Sequence, residues 1–334
     1  MPVAAQPTLS AIRIYPVKSC HCVQLDECEI GALGPKHDRR FMFIEESNKR
    51  FITQRKYSSM ALIRPLVDVE NDTLTLTGPG QPDLTLPLTP PKEENNRLTV
   101  TVWKDTITAY DMGDAAAAWI GKFFKDHRQH NQMNPHSDDG GMGGVGPDVP
   151  PARLVAIDEQ DYSRPSHDRL PGIHTAFSDS SPISFGCESS LEDVNGNLIQ
   201  SGLSKGQSIP IDRFRNNLTI SGTVAWDEDE WLVVQIGEVT FYVMRPTARC
   251  TVPGFNQDTG IKDDWGKSGV LDYLKVKRNL TTNPKQGYFC VDAAPLTKGT
   301  IRVGDPVKIL ERIPADKVER PVGPPPSSSS SNDN

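Results

Sequence analysis

The chain has 334 residues, of which 36% are hydrophobic and 24% charged, and its formal net charge at pH 7 is −7. This composition is typical of a globular protein of one or two domains, and the negative charge argues against nucleic acid or an anionic membrane surface as the main partner. The sequence contains no long apolar run that could span a membrane, and Met1–Thr8 lacks the pattern of a signal peptide. The six cysteines show no regular pairing, so we expect a reducing compartment, most simply the cytoplasm.

Short β-type runs separated by turn residues dominate the first third of the chain. They cover residues 9–15, 40–44, 73–77, 84–88, 98–102 and 106–110. Many short strands at close spacing predict a small antiparallel β-barrel or sandwich, which we assign to residues 1–112. Asp114 is then expected to cap a helix that presents Ala116, Trp119, Ile120 and Phe123 on one face.

Residues 113–160 are predicted to connect two domains through that helix and a glycine-rich segment. Residues 140–146 contain the pattern G-x-G-x-x-G, which in dinucleotide-binding proteins follows a strand and opens a helix. Here polar residues precede the pattern and prolines follow it. A flexible insertion is therefore favoured over a nucleotide site.

Residues 161–313 are predicted to form a second domain, again mainly β with short helices. Ser189 and Glu192 fit the capping box of a short helix, and Gly237 with Glu238 fits the turn of a hairpin. Further strands are expected at 218–221, 231–236, 239–244, 287–291, 301–303 and 307–310, and a helix at 269–276, while a strand at 154–157 is expected before this domain, in the connecting segment. Residues 314–334 are rich in Pro, Ser, Asn and Asp and are predicted to be disordered. The expected fold class is mainly β with short helices (α+β), as two β-barrel domains.

The stretch from Val243 to Pro253 contains the residue most suggestive of chemistry, Cys250. A strand-like run leads into it, and a Pro on one side with a Pro-Gly pair on the other indicates that Cys250 lies on a loop. Arg245 and Arg249 lie within five residues, and a nearby guanidinium favours the thiolate. A thiolate in such a place suits a nucleophile or a soft-metal ligand, although a buried cysteine is often only part of the packing.

Three other stretches place anion-binding side chains beside a strand end. They are Lys18-Ser19, Arg39-Arg40, and Ser180-Ser181 together with Arg215 and Asn217. Arginine offers a planar fork that suits phosphate, lysine offers a compact charge, and Ser and Asn add neutral donors. Combined with one thiolate, these groups predict a pocket for a phosphorylated, anionic cofactor that carries a soft metal.

Five segments resemble one known family. Tyr15–Cys20 is similar to the opening of the MOSC N-terminal β-barrel domain. The remaining segments resemble the MOSC domain, and they are Asp179–Pro182, Arg213–Leu218, Arg249-Cys250 with Asp258–Gly260, and Gly299–Val307. The two domains in this order resemble the mitochondrial amidoxime-reducing components and their bacterial YcbX-type relatives.

The resemblance implies that the chain binds the molybdenum cofactor (Mo-molybdopterin), a pterin with a dithiolene and a terminal phosphate. It implies that Cys250 is the protein thiolate on molybdenum and that Asp258 can assist proton delivery. The cofactor-binding residues that it implies are Lys18, Ser19 and Arg40 from the barrel side, and Ser180, Ser181, Arg213, Arg215, Asn217 and Arg249 from the MOSC side.

The activity that the resemblance implies is the two-electron reduction of small N-hydroxylated substrates to amines or amidines. Electrons are expected from a separate cytochrome b5 and its NADH-cytochrome b5 reductase, since the chain has no ferredoxin-type cysteine set. Two departures from the family concern the site. Ala248 stands where a serine donor is expected, and Pro253–Gln257 differs from the family's loop, which puts the substrate preference in doubt.

Two other functions stay open from the sequence. The first is a carrier that hands the molybdenum cofactor, or a persulfide on Cys250, to another enzyme. The resemblance to molybdenum cofactor sulfurase motivates this carrier hypothesis and implies the family's association with pyridoxal phosphate. Because no pyridoxal-binding half is recognisable, such a carrier would act in trans. The second is a zinc protein that uses Cys20, His21, Cys22 and His37, which departs from the usual Cys-x2-Cys spacing.

Overall fold

The computed structural model describes residues 6–133, 150–160, 162, 164–166 and 171–321. These residues form eighteen β-strands and four α-helices, so the predicted fold class, mainly β with short helices, is confirmed. The strands of the N-terminal part are β1 Thr8–Ile14, β2 Val23–Leu25, β3 Glu27–Gly31, β4 Gly34–Pro35, β5 Phe41–Glu45, β6 Arg64–Asp68, β7 Thr73–Thr77, β8 Leu84–Pro87, β9 Arg97–Val102 and β10 Asp105–Asp111. The later strands are β11 Ala152–Ala156, β12 Ile183–Cys187, β13 Leu218–Ser221, β14 Trp231–Ile236, β15 Val239–Ala248, β16 Tyr288–Pro295, β17 Gly299–Arg302 and β18 Val307–Arg312. The helices are α1 Asp114–Asp126, α2 Arg128–Met133, α3 Glu188–Gln200 and α4 Val270–Lys277.

The largest sheet joins strands from both ends of the chain. Its order is β18-β14-β15-β16-β12-β13-β1-β2, and β1 pairs antiparallel with β13, so that Ile12 lies opposite Leu218. In addition, β17 pairs with β3 from the first 31 residues. The core under these strands therefore mixes early residues such as Leu9 and Ile30 with late ones such as Phe241 and Ile301, all fully buried.

Two smaller sheets and helix α1 build the rest of the N-terminal half. The four-stranded sheet has the order β5-β11-β10-β9, and the three-stranded sheet has the order β6-β7-β8. The helix face predicted from the sequence is confirmed, since Trp119, Ile120 and Phe123 are buried in the core of this half. The predicted cap is wrong: Gly113 precedes the helix without a side-chain cap, and Asp114 accepts a hydrogen bond from Arg153 instead.

Several local expectations for the second half have clear outcomes. The hairpin at Gly237 is confirmed, because Ile236 and Val239 pair across a two-residue turn in which Gly237 has a φ of 53°. The capping box is wrong, since α3 already begins at Glu188, and the Ser189 hydroxyl bonds Thr223. Strand β12 was missed. The glycine-rich pattern at 140–146 and residues 322–334 of the predicted tail lie outside the described residues.

A close backbone approach fixes the first 35 residues against the second half. Gly34 has a φ of 87°, and a Cβ on it would lie 2.2 Å from the carbonyl oxygen of Pro182. Only glycine fits both the conformation and the space. This contact holds the segment of Ser180 and Ser181 beside the N-terminal strands.

Candidate functional site

A cleft of about 340 Å³ opens where the N-terminal residues meet the end of the large sheet. This volume lies within the roughly 300–1,000 Å³ that small-molecule and cofactor sites occupy. Its N-terminal wall includes Lys18, Arg39 and Thr53–Arg55, and its C-terminal wall includes Arg215 and Cys250. The cleft thus depends on the pairing of strands that are far apart in the sequence.

Cys250 is placed in the cleft by the irregular end of β15. The ladder between β15 and β16 shifts register twice, between Val243 and Arg245 and between Pro246 and Ala248. The strand then ends, and the backbone N–H of Arg249 donates to the carbonyl of Gly287 at 2.8 Å. Cys250 follows directly, half-buried, and lines the cleft.

The other five cysteines have a different environment. Burial raises the pKa of Cys20 and of Cys290 to about 12 and that of Cys28 to about 11. The pKa values of Cys22 and Cys187 are also raised, again mainly by burial. These thiols are held in the neutral form that suits packing. Of the six cysteines, Cys250 is the one that lines the cleft.

Arg39 and Arg215 form a cationic pair on the ring of Tyr15. Their guanidinium carbons lie 4.5 and 4.2 Å from the ring centroid. Arg39 donates to the carbonyl of Arg215 at 3.0 Å, and Arg215 donates to the carbonyl of Cys20 at 2.8 Å. Burial lowers the pKa of Arg215, and the guanidinium of Arg39 adds to that effect. Two like charges held this close favour a bound anion.

Backbone strain accompanies these residues. Ser19, Arg39 and Arg215 line the cleft with positive φ values of 68°, 51° and 56°. Residues other than glycine occupy this left-handed region at an energetic cost, and such strain concentrates at functional sites. The strain therefore supports the cleft as the functional site.

Lys18 lies at the edge of the same surface and is almost fully buried. Its Nζ donates to the carbonyl of Phe177 at 2.7 Å and pairs with Asp179. Burial lowers the pKa of Lys18 to about 8, although the carboxylate of Asp179 opposes the shift. The ion pair with Asp179 therefore offsets only part of the cost of burying the ammonium.

Asp292 organises the C-terminal wall from a buried position on β16. Its carboxylate accepts hydrogen bonds from Thr247 Oγ1 at 2.8 Å, from Ser180 Oγ at 3.2 Å and from Arg245 Nε at 3.2 Å. It thereby joins the end of β15, which leads to Cys250, to the Ser180 segment. Thr247 is turned towards Asp292, and Ala248 is exposed.

The charge of the cleft contrasts with that of the whole chain. Among the described residues, six basic side chains and two carboxylates line it. Three of the basic groups have carboxylate partners, Lys18 with Asp179, Arg39 with Asp38 and Arg213 with Asp263. Arg249 instead donates to the carbonyl of Phe214. In the part of the chain that the structure describes, no carboxylate forms an ion pair with Arg215 or Arg249.

The structure brings nine of the eleven predicted site residues into this cleft. They are Lys18, Ser19, Ser180, Ser181, Arg213, Arg215, Asn217, Arg249 and Cys250. Asn217 is buried and accepts hydrogen bonds from the backbone of Ser184 and from Arg39, so it supports the wall. The other two residues, Arg40 and Asp258, lie elsewhere.

Arg40 points away from the cleft, and its neighbour Arg39 takes the position expected for it. The guanidinium of Arg40 is buried against the carbonyls of Asp38 and Pro35 and pairs with Glu159. Both arginines precede β5, which begins at Phe41, and Arg39 adopts a left-handed φ of 51° in the turn before the strand. The two side chains thereby lie on different sides of this turn, with Arg39 in the cleft.

Asp258 lies on an exposed turn outside the cleft. Its side chain is 75% exposed and forms an ion pair with Arg64 at 2.8 Å. The same carboxylate oxygen lies 3.7 Å from His21 Nε2. The turn is nevertheless tied to the cleft wall, because Gln257 accepts a hydrogen bond from Gln54 at 2.9 Å and both amides are buried.

The sequence reasoning missed several residues of the cleft. Asp292 stabilises the C-terminal wall, and Trp103 and Arg55 form part of the N-terminal wall. Asp292 could not be found, since it sits within a buried strand that reads as core. Trp103 could have been noticed, because a tryptophan in a two-residue turn is unusual.

Two further observations concern metals and membranes. Within the described ranges, no three His, Cys, Asp or Glu side chains lie together in a way that could hold a metal ion, so Cys20, His21, Cys22 and His37 are not gathered into a zinc site there. Among the same residues, no helix combines the length and the hydropathy required to cross a bilayer.

Comparison with known proteins supplies the family. Residues 6–127 match the MOSC N-terminal beta barrel domain, and residues 173–308 match the MOSC domain. The mitochondrial amidoxime-reducing component 1 of Mus musculus is 30% identical over 315 residues, which cover 91% of this chain and 82% of the relative. The protein of the same name in Homo sapiens is 29% identical over 318 residues, 91% of this chain and 83% of the relative.

A third relative shares a shorter region. The molybdenum cofactor sulfurase of Bos taurus is 25% identical over 258 residues, which cover 74% of this chain but only 26% of that protein. The two relatives named above match over most of their own length, and both domains are present in order. This chain, which carries a MOSC N-terminal β-barrel domain followed by a MOSC domain, belongs to the family of the mitochondrial amidoxime-reducing components.

Proposed function

We propose that this protein is a molybdenum-cofactor-dependent reductase of N-hydroxylated compounds. Amidoximes, hydroxylamines and N-hydroxylated bases would each take up two electrons and two protons, lose the N–O bond, and yield the amidine or amine and water. The observation that carries the proposal is that Cys250 shares one cleft with Arg215 and Arg249, two arginines held by backbone carbonyls. The names of the relatives support the same reaction class.

The residues of the cleft fit the molybdenum cofactor. A terminal phosphate needs cationic and neutral donors, and the basic groups that line the cleft outnumber the carboxylates. Molybdenum prefers soft sulfur ligands, and Cys250 offers one thiol at the surface of the cleft. The residues that we propose hold the cofactor are Lys18, Ser19, Arg39, Ser180, Ser181, Arg213, Arg215, Asn217 and Arg249, with Cys250 as the ligand of the metal.

The protein's own residues would bind the cofactor, orient the groups of the cleft and supply protons. When bound, the molybdenum cofactor supplies the two-electron redox chemistry. Asp292 fixes the end of β15 and thereby the loop on which Cys250 lies. Lys18, whose pKa burial lowers to about 8, can hold or release a proton at Nζ while the carbonyl of Phe177 anchors it. Asp258 could assist proton delivery only from the exposed turn outside the cleft.

We propose that electrons reach the cleft from a separate redox protein. By the family resemblance we propose a cytochrome b5 that is reduced by an NADH-dependent cytochrome b5 reductase. The cytoplasmic location, or association with mitochondria, stays a prediction. A reductase assay with each candidate donor, compared with a dye-driven assay, tests which donor this protein accepts.

Replacement of Cys250 tests the proposal. Purified protein should reduce benzamidoxime when reduced methyl viologen supplies electrons, and Cys250→Ala should lower kcat at least about a hundredfold, because loss of a ligand costs more than the 10–100-fold loss typical of its supporting contacts. The matched control is Cys22→Ala, since Cys22 is also half-buried but lies outside the cleft. Full turnover by Cys250→Ala with an unchanged unfolding midpoint would contradict the role of Cys250.

The second candidate function is a carrier of sulfur or cofactor. It is favoured by the half-buried position of Cys250, which would leave a persulfide accessible to a partner. Protein that carries labile sulfur on Cys250, without molybdenum and without reductase activity, would support the carrier. Stoichiometric molybdenum with dye-driven reduction supports the enzyme.

A further inference from the structure

Trp103 occupies a position where tryptophan is rarely found. With Lys104 it forms the two-residue turn between β9 and β10, since Val102 pairs with Asp105. Its φ is 55°, a conformation that such turns usually reserve for Gly, Asn or Asp. A bulky residue is strained there, and strain of this kind points to a function.

The indole of Trp103 forms part of the cleft wall and is 39% exposed. Three contacts set its orientation. Its Nε1 donates to Asp179 Oδ1 at 3.2 Å, the ring of Phe51 lies 5.1 Å away between centroids, and the guanidinium of Arg55 lies 4.8 Å from the indole centroid. The ring is therefore held in place and still offers free surface to a ligand.

The same contacts tie Trp103 to the proposed cofactor site. Asp179, which accepts the indole hydrogen bond, also pairs with Lys18. Lys18 Nζ in turn lies 5.2 Å from the centroid of Phe51. An aromatic surface that is fixed before binding loses little conformational freedom when a ligand stacks on it.

We propose that Trp103 is a specificity-determining residue that contacts a planar aromatic group on the N-hydroxylated substrate. The inference rests on the proposed function for the reaction and adds the substrate class, aromatic amidoximes in preference to aliphatic ones. Contact between aromatic rings contributes up to about a tenfold preference beyond the burial of area.

Two substrates that share the reactive group test the inference. Benzamidoxime carries a phenyl ring where acetamidoxime carries a methyl group, so the ratio of their kcat/KM values reports contact with the ring. In Trp103→Leu we expect this ratio to fall about tenfold, and in the matched variant Trp103→Phe, which keeps an aromatic ring, less than about threefold. An unchanged ratio in Trp103→Leu, or an equal fall in both variants, would overturn the inference.

Molybdenum and pterin are measured in the same preparations. We expect the Trp103 variants to keep the wild-type content. A fall in cofactor content that matches the fall in benzamidoxime turnover would show that the indole contacts the cofactor, and the inference would then be wrong.

A binding measurement separates this inference from the proposed function. Without an electron donor benzamidoxime cannot be reduced, and calorimetric titration gives its Kd. If the wild-type protein reduces neither compound, the proposed reaction fails, yet a Kd about tenfold weaker in Trp103→Leu still supports the contact. Equal Kd values, or no binding to the wild-type protein, would overturn it.

Discussion

Two pairs of arginines in this protein have different kinds of partner. Arg164 and Arg278 are buried in the structure, and each has a carboxylate within reach, Asp105 and Asp229 respectively. In the cleft, Arg215 and Arg249 donate to backbone carbonyls. A carbonyl satisfies a donor but does not neutralise a charge.

The difference shows which charges serve the fold and which are available to a ligand. A buried ion pair is complete within the chain, and removal of one partner leaves an uncompensated charge. A guanidinium held only by carbonyls keeps its positive charge for an incoming anion. Glu228 is a buried acidic residue next to Asp229, and its carboxylate accepts a hydrogen bond from the hydroxyl of Ser190.

The largest effect on stability is expected when a complete pair is broken. Arg278→Gln should lower the free energy of unfolding by about 3–5 kcal/mol, because it leaves Asp229 buried without its partner. Arg215→Gln, the matched change in the cleft, should cost less stability but weaken cofactor binding by about 10–100-fold, the loss of one hydrogen bond to a charged group. Urea unfolding and the molybdenum content of each variant measure the two effects.

This contrast can fail in a specific way. If Arg215→Gln unfolds as easily as Arg278→Gln while its folded fraction keeps a full complement of molybdenum, the cleft arginines are structural. The distinction between the two groups would then be wrong.

A pH effect of intermediate size should come from Glu228. Burial, helped by the neighbouring carboxylate of Asp229, raises its pKa from 4.5 to about 7. The folded state binds the proton more tightly than the unfolded state, so stability should fall as pH rises from about 4.5 to about 7. At about 1.4 kcal/mol per pH unit, the decrease is about 3 kcal/mol.

Glu228→Gln should remove this contribution, because the amide cannot ionise. The free energy of unfolding, measured between pH 5 and 8, should then decrease less than in the wild-type protein. Glu192→Gln on the exposed side of α3 removes the same charge and should leave the slope unchanged. A wild-type slope in Glu228→Gln would show that another group titrates.

The smallest of the three effects should distinguish two adjacent residues. Arg40→Gln should lower the free energy of unfolding by about 1–3 kcal/mol, because it leaves the carbonyls of Asp38 and Pro35 with weaker donors. Cofactor content per folded chain should stay unchanged. Arg39→Gln should reduce that content, since Arg39 lies in the cleft. The reverse result would restore Arg40 as the cofactor residue.

The local elements of the fold could be predicted, but their partners could not. The alternation in residues 73–77 and the apolar face of α1 depend on neighbouring residues, and both predictions are confirmed. The pairing of β1 with β13 joins residues about 200 positions apart, and no local pattern encodes it. The missed strand β12 is buried along almost its whole length, so its sequence lacks the alternation of a half-exposed strand.

The site shows the same limit at the level of single residues. Residue type and a position beside a strand end were enough to select Lys18 and Cys250, which the fold brings into one cleft. The choice between Arg39 and Arg40 depended on one left-handed φ angle, and the role of Asp292 on a contact between β15 and β16. Backbone conformation determines which arginine lines the cleft, and long-range packing determines the role of Asp292. Neither property can be seen in a single sequence.

The most direct test of the cofactor site is the amount of molybdenum and pterin bound to the purified protein. The protein is produced in a host that makes the cofactor, and metal and released pterin are quantified per chain. We predict stoichiometric amounts of both in the wild-type protein and a large decrease in a folded Arg215→Gln, Arg249→Gln double variant. Wild-type protein without molybdenum or pterin, or a double variant that keeps the full complement, would contradict the assignment of this cleft.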